Sequence, residues 1–251
     1  MSQGILCQMG LTRLVDLWVL VAIVVSGLVT GITGFGFGLI SMGILVTMMP
    51  VTQATAVVAI ITLVVTLLNL WTIRREVVWR EALPILVTAL PAIAVGVWLL
   101  TVLDARVLSI GVGVMILAGC LGMLWTPKEA TIHRAFPWAM LAGLVGGLFG
   151  GALGTGGPPV VFYELLRGWD KSQSKSTLCA YFTVTSIWRV ALLTARGIIT
   201  LEIARASAIL LIPALVATYL GILIFRRMST PVFRYTTVAL LVGLAAKLLI
   251  G

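Results

Sequence analysis

Charge is scarce in this 251-residue chain: Asp, Glu, Lys and Arg make up 10% of it, where a soluble domain carries about a quarter. Apolar residues reach 61% and mean hydropathy is +1.17, so the chain cannot bury its own apolar surface in water, which excludes a soluble globular domain. Histidine occurs once, at His133, and the cysteines Cys7, Cys120 and Cys179 stand singly, two of them inside apolar runs. That pattern holds no zinc site and no disulfide framework. A Ser/Lys dyad, paired aspartates and an HExxH run are also missing. With His133 in a polar linker, an intramembrane enzyme would have no general base within the bilayer. Strand alternation with regular turns is absent as well, which removes a β-barrel.

What the chain has is long apolar runs. Residues 14–30, 51–73, 82–103 and 107–125 are predominantly apolar, near the length of about 20 residues that crosses hydrocarbon as a helix. The class is therefore an all-α integral membrane protein, with the lipid bilayer as its first partner. The opening residues carry no basic stretch followed by a cleavage site, so the run from Leu14 is expected to be a retained span. A net charge of +9 does not point to nucleic acid here, because nearly all Lys and Arg lie in short gaps between apolar runs, where they set orientation. Trp18, Trp71, Trp79, Trp138 and Trp169 fall at run ends and read as interface anchors.

The chain also repeats itself. Gly27, Gly31, Gly34 and Gly38 recur with the same intervals as Gly143, Gly147, Gly150 and Gly154, each set closing an apolar stretch. A duplication follows, with a first repeat at 1–126, a linker at 127–136 and a second repeat at 137–251. The first half parses as A (14–31), B (36–49), C (51–73), D (82–103) and E (105–125). The second parses as A′ (137–152), B′ (158–167), C′ (172–195), D′ (201–225) and E′ (231–250). Each half thus holds four full spans and one short broken or re-entrant segment. If B and B′ each reverse the chain, the basic gaps around 74–80, 128–134, 167–175 and 226–234 share one side and the halves are inverted; if not, the clusters divide between both sides. The positive-inside rule favours the inverted repeats.

Glycine-rich stretches at 31–38 and 150–159, the latter ending in Pro158-Pro159, should be unwound, since glycine disfavours helix interiors and proline lacks the amide that continues one. Unwound backbone is tolerated at membrane depth only where it lines a cavity or is packed in protein, and matched breaks in two repeats point to a transporter's substrate site. Helices starting at Pro158 and near Leu39 would aim free amides and positive dipole ends at a central anion. For Gly27, Gly31, Gly143 and Gly147, close helix packing is the better reading. The candidate binding residues are Thr33, Gly34, Phe35, Gly36, Gly38 and Ser41 at the first break, and Gly154, Thr155, Gly156, Gly157 and Pro158 at the second. Gln53 and Thr55, which open C, join them, as do Lys175 and Thr177, early in C′. Arg189 lies deep in C′, where it either meets a substrate anion or snorkels to the interface. Glu164 is expected to cap or to pair with Arg167, with proton coupling as the other reading. Asn69, Thr62, Thr66, Thr183, Thr185 and Ser186 are embedded polar groups that either line a path or bond between helices.

The element Gly154-Thr155-Gly156-Gly157-Pro158-Pro159, followed by the run from Lys175 to Phe182, resembles the sulfite exporter TauE/SafE family, also called the toluene sulfonate uptake permeases. The likeness covers nearly the whole chain. It implies movement of small anions, organosulfur compounds such as sulfite or sulfonates, across a bacterial cytoplasmic membrane, with no cofactor. Lys175 stands where that family's pattern more often has arginine, and an ammonium cannot grip an oxyanion in the bidentate way of a guanidinium. The expectation is a small-anion transporter working by alternating access, with a passive anion channel as the alternative. Proton or sodium coupling and a homodimer are left open.

Overall fold

The computed structural model describes residues 17–104, 106–107, 110, 135–167, 169–229, 232 and 235–236. Those residues form helices joined by short connections, and no strand occurs among them. In chain order they are α1 (Leu17–Thr33), α2 (Phe37–Leu45), α3 (Val51–Ile73), α4 (Trp79–Val102), α5 (Ala135–Leu153), α6 (Gly157–Arg167), α7 (Lys171–Ala195) and α8 (Leu201–Arg227), with a 3-10 turn at Arg74–Glu76. Among the described residues, α3 with its turn, α4, α5 from Phe136 on, α7 and α8 are long and apolar enough to cross a bilayer. The chain is a multi-pass membrane protein. Segments A to D and A′ to D′ thus form helices close to their expected bounds, whereas most of E, of E′ and of the linker lies outside the described residues.

Local chemistry sets the ends. Asp170 caps α7, its carboxylate accepting the Ser172 and Gln173 amides at 2.7 and 2.9 Å, and the Thr200 hydroxyl accepts the Ile203 amide at the start of α8. Both breaks are shorter than the glycine-rich sequence suggests. Helix continues through Thr33 and through Leu153, leaving only residues 34–36 and 154–156 unwound. Gly34 and Gly154 end their helices in the same way, with φ of +84° and +72° and amides donating to the Thr30 and Gly150 carbonyls at 2.8 and 3.1 Å. This left-handed helix stop is glycine's characteristic use.

The two stops match each other at an offset of their own. Gly34 corresponds to Gly154, and Gly36 to Gly156, one helical turn away from the pairing that glycine spacing alone gives. A stripe of small residues recurring every four positions matches itself when slid by a turn, so the left-handed stops are the sharper landmarks for aligning the two stretches. In that register α3 and α7 begin at equivalent residues, and Asn69 corresponds to Arg189.

Packing is reciprocal. Helix α1 lies along α8 and α5 along α4, while α3 and α7 pack on each other between these pairs. A methyl group on Gly31 would stand 2.2 Å from the Thr218 carbonyl oxygen, and one on Gly151 would stand 2.4 Å from that of Ile93. Gly221 on α8 and Gly96 on α4 return the contact against the Leu28 and Leu148 carbonyls. Gly27, Gly143 and Gly147 likewise meet the backbone of the facing helix, which is the close-packing role expected of them.

Candidate functional site

The two breaks meet. A methyl on Gly38 would fall 1.9 Å from the Gly154 carbonyl oxygen, and one on Gly157 would lie 3.3 to 3.4 Å from Phe182 and Phe35. The starts of α2 and α6 therefore touch in the protein's interior. At α2 the helical ladder begins with the Ile40 amide on the Gly36 carbonyl at 3.0 Å, which leaves the Phe37, Gly38 and Leu39 amides as first-turn donors. At α6 the first turn is Gly157, Pro158 and Pro159, and the prolines have no amide to give. The second break is thus poor in backbone donors.

Arg189 makes up that difference. It extends from α7 to Gly154, where an added methyl would lie 2.5 Å from its Nη1, and it is 6% exposed. Its Nε and Nη2 are buried with no hydrogen-bond partner, and the ion pair found among the described residues, Arg167 with Glu81, does not involve it. The snorkelling alternative does not hold: the guanidinium turns inward to the break.

Two small cavities flank Gly154. One, of about 20 Å³, is bounded by the first break, Phe35, Phe37, Thr62, Thr66 and Phe182. The other, of about 30 Å³, is bounded by Arg189, Tyr181, Thr185, Ser186, Gly150 and Gly156. Each admits a water molecule or two, which needs on the order of 10–15 Å³ apiece, and neither admits an oxyanion as it stands. The site is closed.

The expected residues divide sharply. Gly34, Phe35, Gly36, Gly38, Gly154, Gly156, Gly157 and Arg189 line these cavities, and Thr155 sits between two of them, 1% exposed, its hydroxyl without a partner. Pro158 opens α6. The Thr33 hydroxyl is committed to its own break, accepting the Phe35 amide at 3.3 Å and reaching the Val29 and Phe35 carbonyls at 2.9 and 2.8 Å. The Ser41 hydroxyl donates to the Phe37 carbonyl of its own helix. Gln53 is exposed, because it opens α3 on the face turned away from the bundle. Thr55 is buried with its hydroxyl unpartnered, yet it borders neither cavity. Thr177 accepts the Val78 amide at 3.2 Å and so tethers the chain entering α4.

Lys175 is 1% exposed and donates to the Gly31 carbonyl near the end of α1, with its ammonium 3.9 Å from the centre of the Phe225 ring. It stabilises the negative end of a helix dipole at the first break. It also lines a cavity of about 550 Å³ with Arg74, Arg75, Glu76, Lys171 and Arg226. Sequence reading took the last two and the Arg74 pair only as orientation signal. Gaps distant in sequence give no hint that they converge. Glu164 does not pair with Arg167: that arginine is 2.6 Å from Glu81, whose carboxylate also accepts the Tyr163 hydroxyl. Glu164 is 2% exposed and both its oxygens lack a partner. Tyr181 and Phe182, at the end of the run that carried the family resemblance, line the cavities and were not singled out.

Broken helices meeting at an embedded, unpaired guanidinium define a membrane transporter architecture rather than an enzyme's. The family model described as Sulfite exporter TauE/SafE matches residues 19–248; the chain belongs to this transporter family. Among curated proteins, the probable sulfite/organosulfonate exporter TauE of Cupriavidus necator is 29% identical over 228 residues, covering 87% of this chain and 88% of that protein. No solved structure matches the chain.

Proposed function

We propose that the chain moves a small sulfur oxyanion, sulfite or an organosulfonate, across a bacterial inner membrane by alternating access. The anion would sit between the two breaks, held by the first-turn amides of α2, the Thr155 hydroxyl and the guanidinium of Arg189. One observation carries the reading: a cation buried at a helix break with two donor atoms unpartnered. A charge in that setting is expensive and is retained where a ligand completes it, and a guanidinium matches an oxyanion's geometry bidentately.

Three further points support the arrangement. The relative's name specifies sulfite and organosulfonate for that protein. Arg74, Arg75, Lys171 and Arg226 share one vestibule, as inverted repeats require and parallel ones do not. The cavities at the breaks are too small for the cargo, which suits a carrier that opens and closes around its site better than a standing channel. In this reading the halves, 1–126 and 137–251, rock against each other, and Lys175 on the Gly31 carbonyl separates vestibule from site.

The test is flux of radiolabelled sulfite and sulfoacetate into proteoliposomes. Arg189→Ala is expected to lower saturable flux at least about tenfold, the loss of roughly 1.4 kcal/mol or more of anion binding, while Arg189→Lys keeps an intermediate rate. Undiminished transport by a correctly folded Arg189→Ala protein would overturn the site. Flux that fails to saturate would favour the channel.

A further inference from the structure

Among the described residues, Glu164 is the one buried acid that the transport reading leaves without a task. It lies on α6, and no cation among those residues pairs with it. Helix α5 contributes no titratable side chain across residues 135–153, and neither does α2 across 37–45. From α7, Cys179 is the group within electrostatic range of Glu164; Lys175 is held on the Gly31 carbonyl and Arg189 is turned to Gly154. On its own helix, Tyr163 and Arg167 are both committed to Glu81 of α4. An ionised carboxylate with both oxygens buried and unpartnered costs several kcal/mol, so the closed arrangement accommodates the neutral acid.

We propose that Glu164 carries a proton through the closed state and thereby couples proton movement to anion movement, an inference that rests on the transport reading above. When the protein opens and water reaches α6, the carboxyl O–H bond breaks, its electron pair stays on the carboxylate oxygen and the proton passes to water. Before closure the O–H bond re-forms from water at whichever face is open. Position favours this coupling. Gly157, the first residue of the same short helix, lines the cavity at the first break, and the Cys179 sulfur, within electrostatic range of Glu164, lies 3.9 Å from the Gly34 carbonyl of the other break. In the loaded form, with these cavities widened around the anion at Arg189, α6 stays shut off from water and encloses the proton too, so the two cross in the same direction.

The full chain in proteoliposomes decides it, with radiolabelled sulfoacetate as the probe. For the native protein, a pH gradient acidic on the side of departure is expected to accelerate net flux severalfold. Glu164→Gln, an uncharged near-isostere, should keep exchange of labelled for unlabelled sulfoacetate within about twofold and lose the acceleration. A Glu164→Gln protein still accelerated by the gradient overturns the proposal, as does a native protein that exchanges sulfoacetate with indifference to the gradient. If Glu164→Gln yields no exchange, Glu164→Asp decides: gradient-driven flux retained with a displaced pH midpoint supports the proposal, and an unchanged midpoint overturns it. A native protein that exchanges neither sulfoacetate nor sulfite overturns the transport reading instead.

Discussion

Side chains of the same type differ here in whether their bonding capacity is already spent. Thr33 and Ser41 use their hydroxyls on neighbouring carbonyls, whereas the Thr155 hydroxyl is buried and unpartnered. Thr155→Val should therefore weaken anion binding by a factor of about 3 to 10, the worth of one hydrogen bond. The ligand-free protein should melt no lower, since the change removes an unsatisfied buried group. Thermal melting with and without sulfite measures both. Thr33→Val should do the reverse, loosening the first break by about 1 kcal/mol while leaving discrimination between sulfite and sulfonates unchanged. These contrasts were not legible in sequence, where each of the three is a hydroxyl beside a glycine-rich stretch.

At the scale of elements, the glycines separate into those that let backbones touch and those that shape the cavity. Gly38 and Gly156 face carbonyl oxygens at distances a methyl cannot share. Gly38→Ala is expected to lower the melting midpoint by the equivalent of about 1–3 kcal/mol of overpacking and to lower flux per folded molecule as well, because the methyl pushes the two breaks apart at Gly154. Gly157 faces the rings of Phe182 and Phe35, 3.3 and 3.4 Å from an added methyl. Gly157→Val is expected to fold and to depress flux per folded molecule, because it fills the cavity between the helix starts. Equal flux per folded molecule would remove the first cavity from the path. The existence of both breaks followed from glycine and proline content. Their length did not, because helix packing on α8 and α4 holds Gly31 and Gly151 in helical form despite their low propensity.

For the molecule as a whole, the convergence of Arg74, Arg75, Lys171 and Arg226 on one cavity sets up a field that concentrates anions there, and in the proposed reading this cavity is the mouth of the site. Raising ionic strength from 0.01 to 0.15 M shortens the screening length from about 30 to about 8 Å, so flux at low substrate should fall with added salt. Replacing Arg74 and Arg75 together with Gln should lower that flux severalfold and flatten its salt dependence. Initial rates at limiting sulfite, with an inert salt as the variable, measure both effects.

Hydropathy alone determined that this is a helical membrane protein, since apolar runs of bilayer length admit no other burial. The two breaks were equally local in origin, written in glycine and in Pro158-Pro159. Tertiary structure decided the rest. It ended α1 and α5 with matched left-handed stops at Gly34 and Gly154. It brought Arg189 inward to the second break, moved Lys175 onto the end of α1, gave Arg167 to Glu81 and left Glu164 alone. A side chain's partner is fixed by which helix lies beside it, and spacing along one helix carries no record of its neighbours.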